Sequence, residues 1–132
     1  MAKPSILIVE DESIIALHIQ KILISMEYTV VDIISSGEEV IKLLENVKPD
    51  LILMDIMLEG EMDGIKTTEI INSIYDIPVV YLTAHSDEKT LTKVKNTNPY
   101  GYIIKPINNN DLNSTIEIAV HKHRIEKLLV VD

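Results

Sequence analysis

The hydrophobic pattern of this chain alternates between two periods. Short, nearly unbroken apolar runs at Ile6–Val9, Val30–Ile34, Leu51–Met54, Val79–Leu82 and Ile103–Ile104 have strand length. Between them, apolar residues recur at helical spacing. The first helical segment carries Ile15, Ala16, Ile19, Ile22, Leu23 and Met26. Ser36 and Glu39 stand at capping-box spacing and predict a helix through about Glu45. Pro49-Asp50 leads into the third run, and a helix from Gly64 to about Ile74 offers Ile65, Ile70, Ile71 and Ile74 to a core. Pro78 opens the fourth run. Ser86-Asp87 can cap the next helix, which fades near Asn96-Thr97-Asn98-Pro99. Asn110 can cap a last helix from Asp111 into the 120s.

Five strands alternating strictly with five helices predict β-α-β units and a parallel sheet. Right-handed crossovers then cover both faces of that sheet with helices. Parallel strands open their C-terminal ends on one edge, and every run here ends at a polar residue: Glu10 and Asp11, Ser35, Asp55, Thr83 and Lys105. Chemistry in open sheets gathers at these ends, beside the point where strand order reverses. With the order 2-1-3-4-5 the reversal falls between the first and third strands. Glu10, Asp11 and Asp55 then meet, and Ser35 is left at the margin.

Composition narrows the function classes. The 132 residues suffice for one domain with a full core, and the only aromatics are five Tyr, so that core must be aliphatic. Twelve Lys+Arg against 21 Asp+Glu give a net charge of −9. That balance supplies no general phosphate-neutralising face, so direct nucleic-acid binding is not expected. No apolar run is long enough to cross a bilayer, and no membrane association is expected. The start has no signal-peptide layout and the chain has no cysteine, which makes the cytoplasm the expected compartment.

The endpoints carry a specific chemistry. Three converging carboxylates repel one another unless a cation sits among them. Magnesium prefers oxygen ligands and binds through one or two carboxylates while keeping waters; manganese can substitute. Lys105 would balance the remaining charge and hold a phosphoryl oxygen, and the Thr83 hydroxyl could donate to another. An aspartate is a competent phosphoryl acceptor, because such transfer is mainly positioning and charge neutralisation. Taken singly, Asp11 or Asp55 would more often be a helix cap. The conjunction with Thr83 and Lys105 favours the site.

The set Glu10-Asp11, Asp55, Thr83-Ala84, Tyr102 and Lys105-Pro106 closely resembles the receiver domain of two-component response regulators, of the chemotaxis-regulator-like superfamily. The resemblance runs from about Ser5 to about Lys122. It implies a flavodoxin-like, doubly wound (βα)5 three-layer α/β sandwich with a parallel five-stranded sheet of order 2-1-3-4-5. It implies that Asp55 accepts a phosphoryl group from a sensor histidine kinase or phosphotransfer protein. Asp11, with Glu10 partly through water, would hold magnesium together with Asp55 and the backbone carbonyl of Met57. Thr83, Ala84 and Lys105 would grip the phosphoryl oxygens. Tyr102 matches the aromatic that rotates inward after the threonine moves, and Lys105-Pro106 matches a step often made with a cis bond. Met57 and His85 occupy positions that tune hydrolysis of the acyl phosphate. On this reading the chain is a regulatory phosphoacceptor, catalysing its own phosphorylation and slow dephosphorylation, and not an enzyme in the ordinary sense.

One departure stands in the loop after Asp55. Receivers usually have a proline four residues on and Asp-Gly at seven and eight. Here Glu59 is at four and Asp63-Gly64 arrive at eight and nine, so the loop is one residue longer. Gly60 and the added acids Glu59 and Glu61 make the rim more negative. Two rival readings share parts of the pattern. A small flavodoxin-like cofactor binder needs a phosphate-cradling first loop, where Glu10-Asp11-Glu12 would repel phosphate. An aspartyl-nucleophile phosphatase usually has a second carboxylate two residues after its nucleophile, where this chain has Met57.

Surface and boundary expectations complete the reading. Ile14, Leu17 and Ile24 on the first helix, and Ile118, Ile125 and Leu129 on the last, fall on faces turned from the core. Two neighbouring helices with such residues suggest a partner surface for a kinase or a second copy of the chain. His18, His121 and His123 read as surface or helix-end residues, since His121-x-His123 spacing places the pair on nearly opposite sides of a helix. The receiver is expected over residues 1–125, with 126–132 as a C-terminal helical extension or the start of a connector. No DNA-binding module fits within the chain, so output is expected through a downstream protein target or a fused sensory or kinase domain.

Overall fold

Successive side chains on a strand point to opposite faces, and that alternation builds two cores here. The computed structural model describes residues 3–84 and 88–129. Its elements are β1 (Ser5–Val9), α1 (Ser13–Ser25), β2 (Thr29–Ile34), α2 (Gly37–Leu43), β3 (Leu51–Asp55), α3 (Gly64–Ile74), β4 (Val79–Thr83), α4 (Glu88–Lys95), β5 (Gly101–Ile104) and α5 (Asn109–Leu128). The strands pair in parallel in the order β2-β1-β3-β4-β5, the order expected of a flavodoxin-like sheet.

Ile6 and Ile8 of β1 join Leu51, Leu53, Val80, Leu82 and Ile103 in a core closed by Ala16, Ile19 and Leu23 of α1 and Leu112, Ile116 and Ala119 of α5. Leu7 and Val9 point the other way and join Ile52, Met54, Val79 and Tyr81 in a core closed by Val40, Ile65, Ile71 and Val94. β1, β3 and β4 are therefore buried on both faces, which is why their sequences read as continuous apolar runs. Each buried Leu, Ile or Val contributes about 1.5–3 kcal/mol of transfer free energy, and this packing fixes where the strand ends lie. The edge strand β5 differs. Ile103 is buried, whereas Tyr102 and Ile104 on the opposite face are 42% and 60% exposed, because α4 sends only Val94 into that core among the described residues.

Helix ends follow local chemistry. Ser36 Oγ accepts the Glu39 N–H at 3.3 Å, as the capping-box spacing predicts, and Asp63 accepts the Lys66 N–H at 2.8 Å. α1 ends in a Schellman arrangement: Tyr28 N–H donates to the Leu23 carbonyl at 3.0 Å, Glu27 N–H to Ile24 at 3.0 Å, and Glu27 is left-handed at φ 70°.

Two sequence expectations need correction. The cap of α5 is Asn108, not Asn110. The Asn108 side chain accepts the N–H groups of Asn110 and Asp111, so the helix begins earlier than its apolar periodicity alone suggested. Ile74 is 61% exposed and, like the half-buried Ile70, joins neither core, since the buried face of α3 runs through Gly64, Thr67, Thr68 and Ile71 and continues at Tyr75, which packs against the second core. The Ser86-Asp87 cap and His85 lie outside the described residues. Lys105-Pro106 is a cis peptide bond.

Candidate functional site

Strand ladders that continue one residue past the strands hold the site residues in place. Glu10 N–H donates to the Ile34 carbonyl at 2.9 Å, Ile56 N–H to Leu82 at 3.2 Å, and Lys105 N–H to Thr83 at 2.8 Å. Glu10, Asp55, Thr83 and Lys105 thus stand at fixed heights along one edge, with Asp11 beside them. Gly64 fixes the acceptor strand from behind. Its N–H donates to the Ile56 carbonyl at 2.8 Å, and a Cβ at this position would lie 2.0 Å from the Asp55 carbonyl oxygen. Only glycine lets α3 start this close to the backbone of Asp55.

The side chains converge. Carboxylate oxygens of Glu10, Asp11 and Asp55 lie within 4.8 Å of one another. Lys105 Nζ is 3.0 Å from Asp55 Oδ2, to which it donates, and 2.7 Å from Glu10 Oε1. The second contact is a close but misaligned ion pair, because Glu10 Oε1 is buried without a hydrogen bond. Asp55 Oδ1 accepts the Met57 N–H at 3.1 Å, and Glu10 Oε2 accepts the Glu12 N–H at 3.2 Å. A pocket of about 250 Å³ opens here, lined by Asp11, Asp55, Met57, Thr83, Ala84 and Lys105 among others.

Electrostatics follow from this crowding. Burial pushes the Glu10 carboxyl up to about 7, with the neighbouring Asp55 adding to the rise and Lys105 and the Glu12 N–H opposing it. Burial works to lower the Lys105 ammonium, yet its contacts with Glu10 and Asp55 outweigh that and raise it, so it stays charged. Among the described residues, three carboxylates against one ammonium leave an excess of negative charge in a poorly hydrated place. A hard divalent cation with oxygen preference fits this donor set, and the buried, unbonded Glu10 oxygen is a donor such a cation or its water could use.

The sequence-derived residues are brought together with few exceptions. Ser35 is exposed on the edge strand side and takes no part in the carboxylate cluster. Tyr102 pairs in register with Tyr81 on β4 and faces outward at 42% exposure. His123, read from sequence as a surface or helix-end residue, lies near the end of α5, where Nε2 pairs with Asp76 Oδ1 at 2.9 Å and the ring meets Tyr100 edge-on. Sequence reasoning missed Glu38, which touches the loop after Asp55. Its only signal was Gly60, a left-handed glycine placed where the longer loop bends.

Comparison with known proteins is consistent along most of the chain. Residues 6–117 match the response regulator receiver domain family. The transcriptional regulatory protein PdtaR of Mycobacterium tuberculosis is 34% identical over 119 residues, covering 90% of this chain and 58% of that protein. The chain thus spans little more than half the length of this curated relative. The signal receiver domain of a modulated diguanylate cyclase from Desulfovibrio desulfuricans superposes with a TM-score of 0.88 at 35% identity, covering 93% of this chain and 98% of that one. The N-terminal domain of a response regulator/sensory box/GGDEF protein from Carboxydothermus hydrogenoformans gives 0.84 at 39%, covering 92% and 98%.

Proposed function

The chain belongs to the response regulator receiver domain family, and on that premise we propose that Asp55 accepts a phosphoryl group from the phosphohistidine of a sensor kinase or phosphotransfer protein. One observation carries the reading: the Lys105 ammonium sits between the buried carboxylates of Glu10 and Asp55 at the sheet edge. In the transfer a carboxylate oxygen of Asp55 bonds to phosphorus, the phosphorus–nitrogen bond of the donor breaks, and the leaving imidazole keeps the electron pair and takes a proton. Lys105 and the Thr83 hydroxyl bind the transferred oxygens, and the Met57 N–H holds the carboxylate in register.

Glu10, Asp11, Asp55 and the Met57 carbonyl would hold magnesium or manganese. A bound cation supplies charge neutralisation for the phosphoryl oxygens. Movement of Thr83 toward the phosphate would draw Tyr102 inward from its exposed position, changing the β4–α4–β5 surface. Met57 offers no proton-accepting group for water activation, so any such help would come from His85. Output passes through protein contacts, either to a downstream target or to a fused sensory or kinase domain reached through residues 126–132.

Beryllofluoride or acetyl phosphate, with and without magnesium, tests this by NMR and intact mass. The wild type should gain a magnesium-dependent adduct that Asp55→Asn lacks. An unmodified wild type, or an adduct retained in Asp55→Asn, would refute the proposal.

A further inference from the structure

The longer loop after Asp55 does not hang free. Residues 56–63 leave β3, cross to the start of α2 and return to α3. Glu59 forms a strand-like bridge with Ser36, and Met62 N–H donates to Glu38 Oε1 at 3.2 Å. Gly60 bends the loop at φ 93°, and a Cβ there would lie 3.0 Å from Glu38 Oε2. The platform beneath is firm: Glu38 is in the first turn of α2, and Gly37 lets α2 pack so closely on α3 that a Cβ would lie 2.0 Å from Thr67 Oγ1. The loop's other end is held by Gly64 against Ile56.

From these contacts we infer that Glu38 is a positioning residue for the cation site. Its carboxylate fastens the extra length of loop 56–63 to α2, and so restrains the Met57 backbone whose N–H meets Asp55 and whose carbonyl would be a cation ligand. The inference rests on the cation reading above and adds a residue outside the carboxylate cluster, acting through the loop. A carboxylate near a cation could also act by charge alone, so the discriminating variant is one that keeps the acceptor and loses the charge.

The test is a magnesium chloride titration of the full chain, followed by backbone amide NMR, on wild type, Glu38→Ala, Glu38→Gln and Gly60→Ala. Loss of the acceptor in Glu38→Ala should weaken magnesium binding by roughly fivefold, on the scale of one exposed charge-assisted hydrogen bond. Glu38→Gln, which can still accept the Met62 N–H, should stay within about twofold of wild type. Gly60→Ala disturbs the same contact from the loop side and should also weaken binding, which keeps the inference testable if Glu38→Ala folds poorly. Equal losses in Glu38→Ala and Glu38→Gln would mean charge alone and overturn it, as would wild-type affinity in Gly60→Ala or in a folded Glu38→Ala. No magnesium binding by the wild type would instead overturn the cation reading itself.

Discussion

Glu10 shows most clearly how burial sets the behaviour of one residue. Its carboxyl titrates near 7 because it is 1% exposed and lies beside Asp55. A folded value above the unfolded one means that the native state binds the extra proton. This group's contribution to stability is therefore fully present below about 4.5 and is lost as pH rises through about 7 in the cation-free protein. A cation needs the ionised form, so binding must expel that proton. Magnesium affinity should fall severalfold between pH 8 and pH 6, and Glu10→Gln should flatten that dependence, as titrations at three pH values would read. An affinity in the wild type that ignores pH over this range would contradict the assignment. Glu10 was legible from sequence as a strand-end acid. Its raised titration was not, since it depends on burial and on the nearness of Asp55, a matter of tertiary placement 45 positions away in the chain.

Elements were legible where their signals were local. Strand runs, the Ser36 cap and the start of α3 depend on residues a few positions apart, and each stands where the pattern put it. What failed was the cap of α5: Asn108 and Asn110 are both good cap residues, and it is the Asn108 side chain that accepts the first free N–H groups. The end of α1 gives a direct test. Glu27 adopts φ 70°, a region that disfavours side chains with a Cβ, at the position where helices usually place glycine. Glu27→Gly should raise stability by up to about 1 kcal/mol in urea unfolding, the relief of strain being partly offset by the freer unfolded chain. A destabilised variant would show that the Glu27 side chain contributes more than its backbone strain costs. α3 illustrates the opposite limit, because its helical period fits Ile74 as well as Tyr75 after Ile71, and it is Tyr75 that packs against the core.

At the scale of the molecule, the exposed apolar residues on α1 and α5 stand as expected: Ile14 is 85% exposed, Leu17 57%, Ile118 64% and Ile125 41%. A pocket of about 470 Å³ lined by Ile14, Ile15, His18, Lys105, Pro106 and Ile107 brings the α1 side of this surface to the edge of the site. Read as a docking face, it predicts that Ile14→Glu with Leu17→Glu slows phosphotransfer from a phosphorylated kinase at least tenfold while leaving acetyl phosphate labelling and thermal stability unchanged. Unaltered phosphotransfer and unaltered oligomeric state in light scattering would remove the role. The sequence could mark these residues as facing away from the core, since helical period decides that, but it could not place them beside the pocket. Gly64 has a consequence on this same scale. By pressing the first turn of α3 against the Asp55 carbonyl, it ties Asp55 to α3, with the loop stapled to α2 as part of the same block. If Asp55 takes up a phosphoryl group as proposed, the motion it drives is expected on the β4–β5 side, where Tyr102 and Ile104 already lie uncovered.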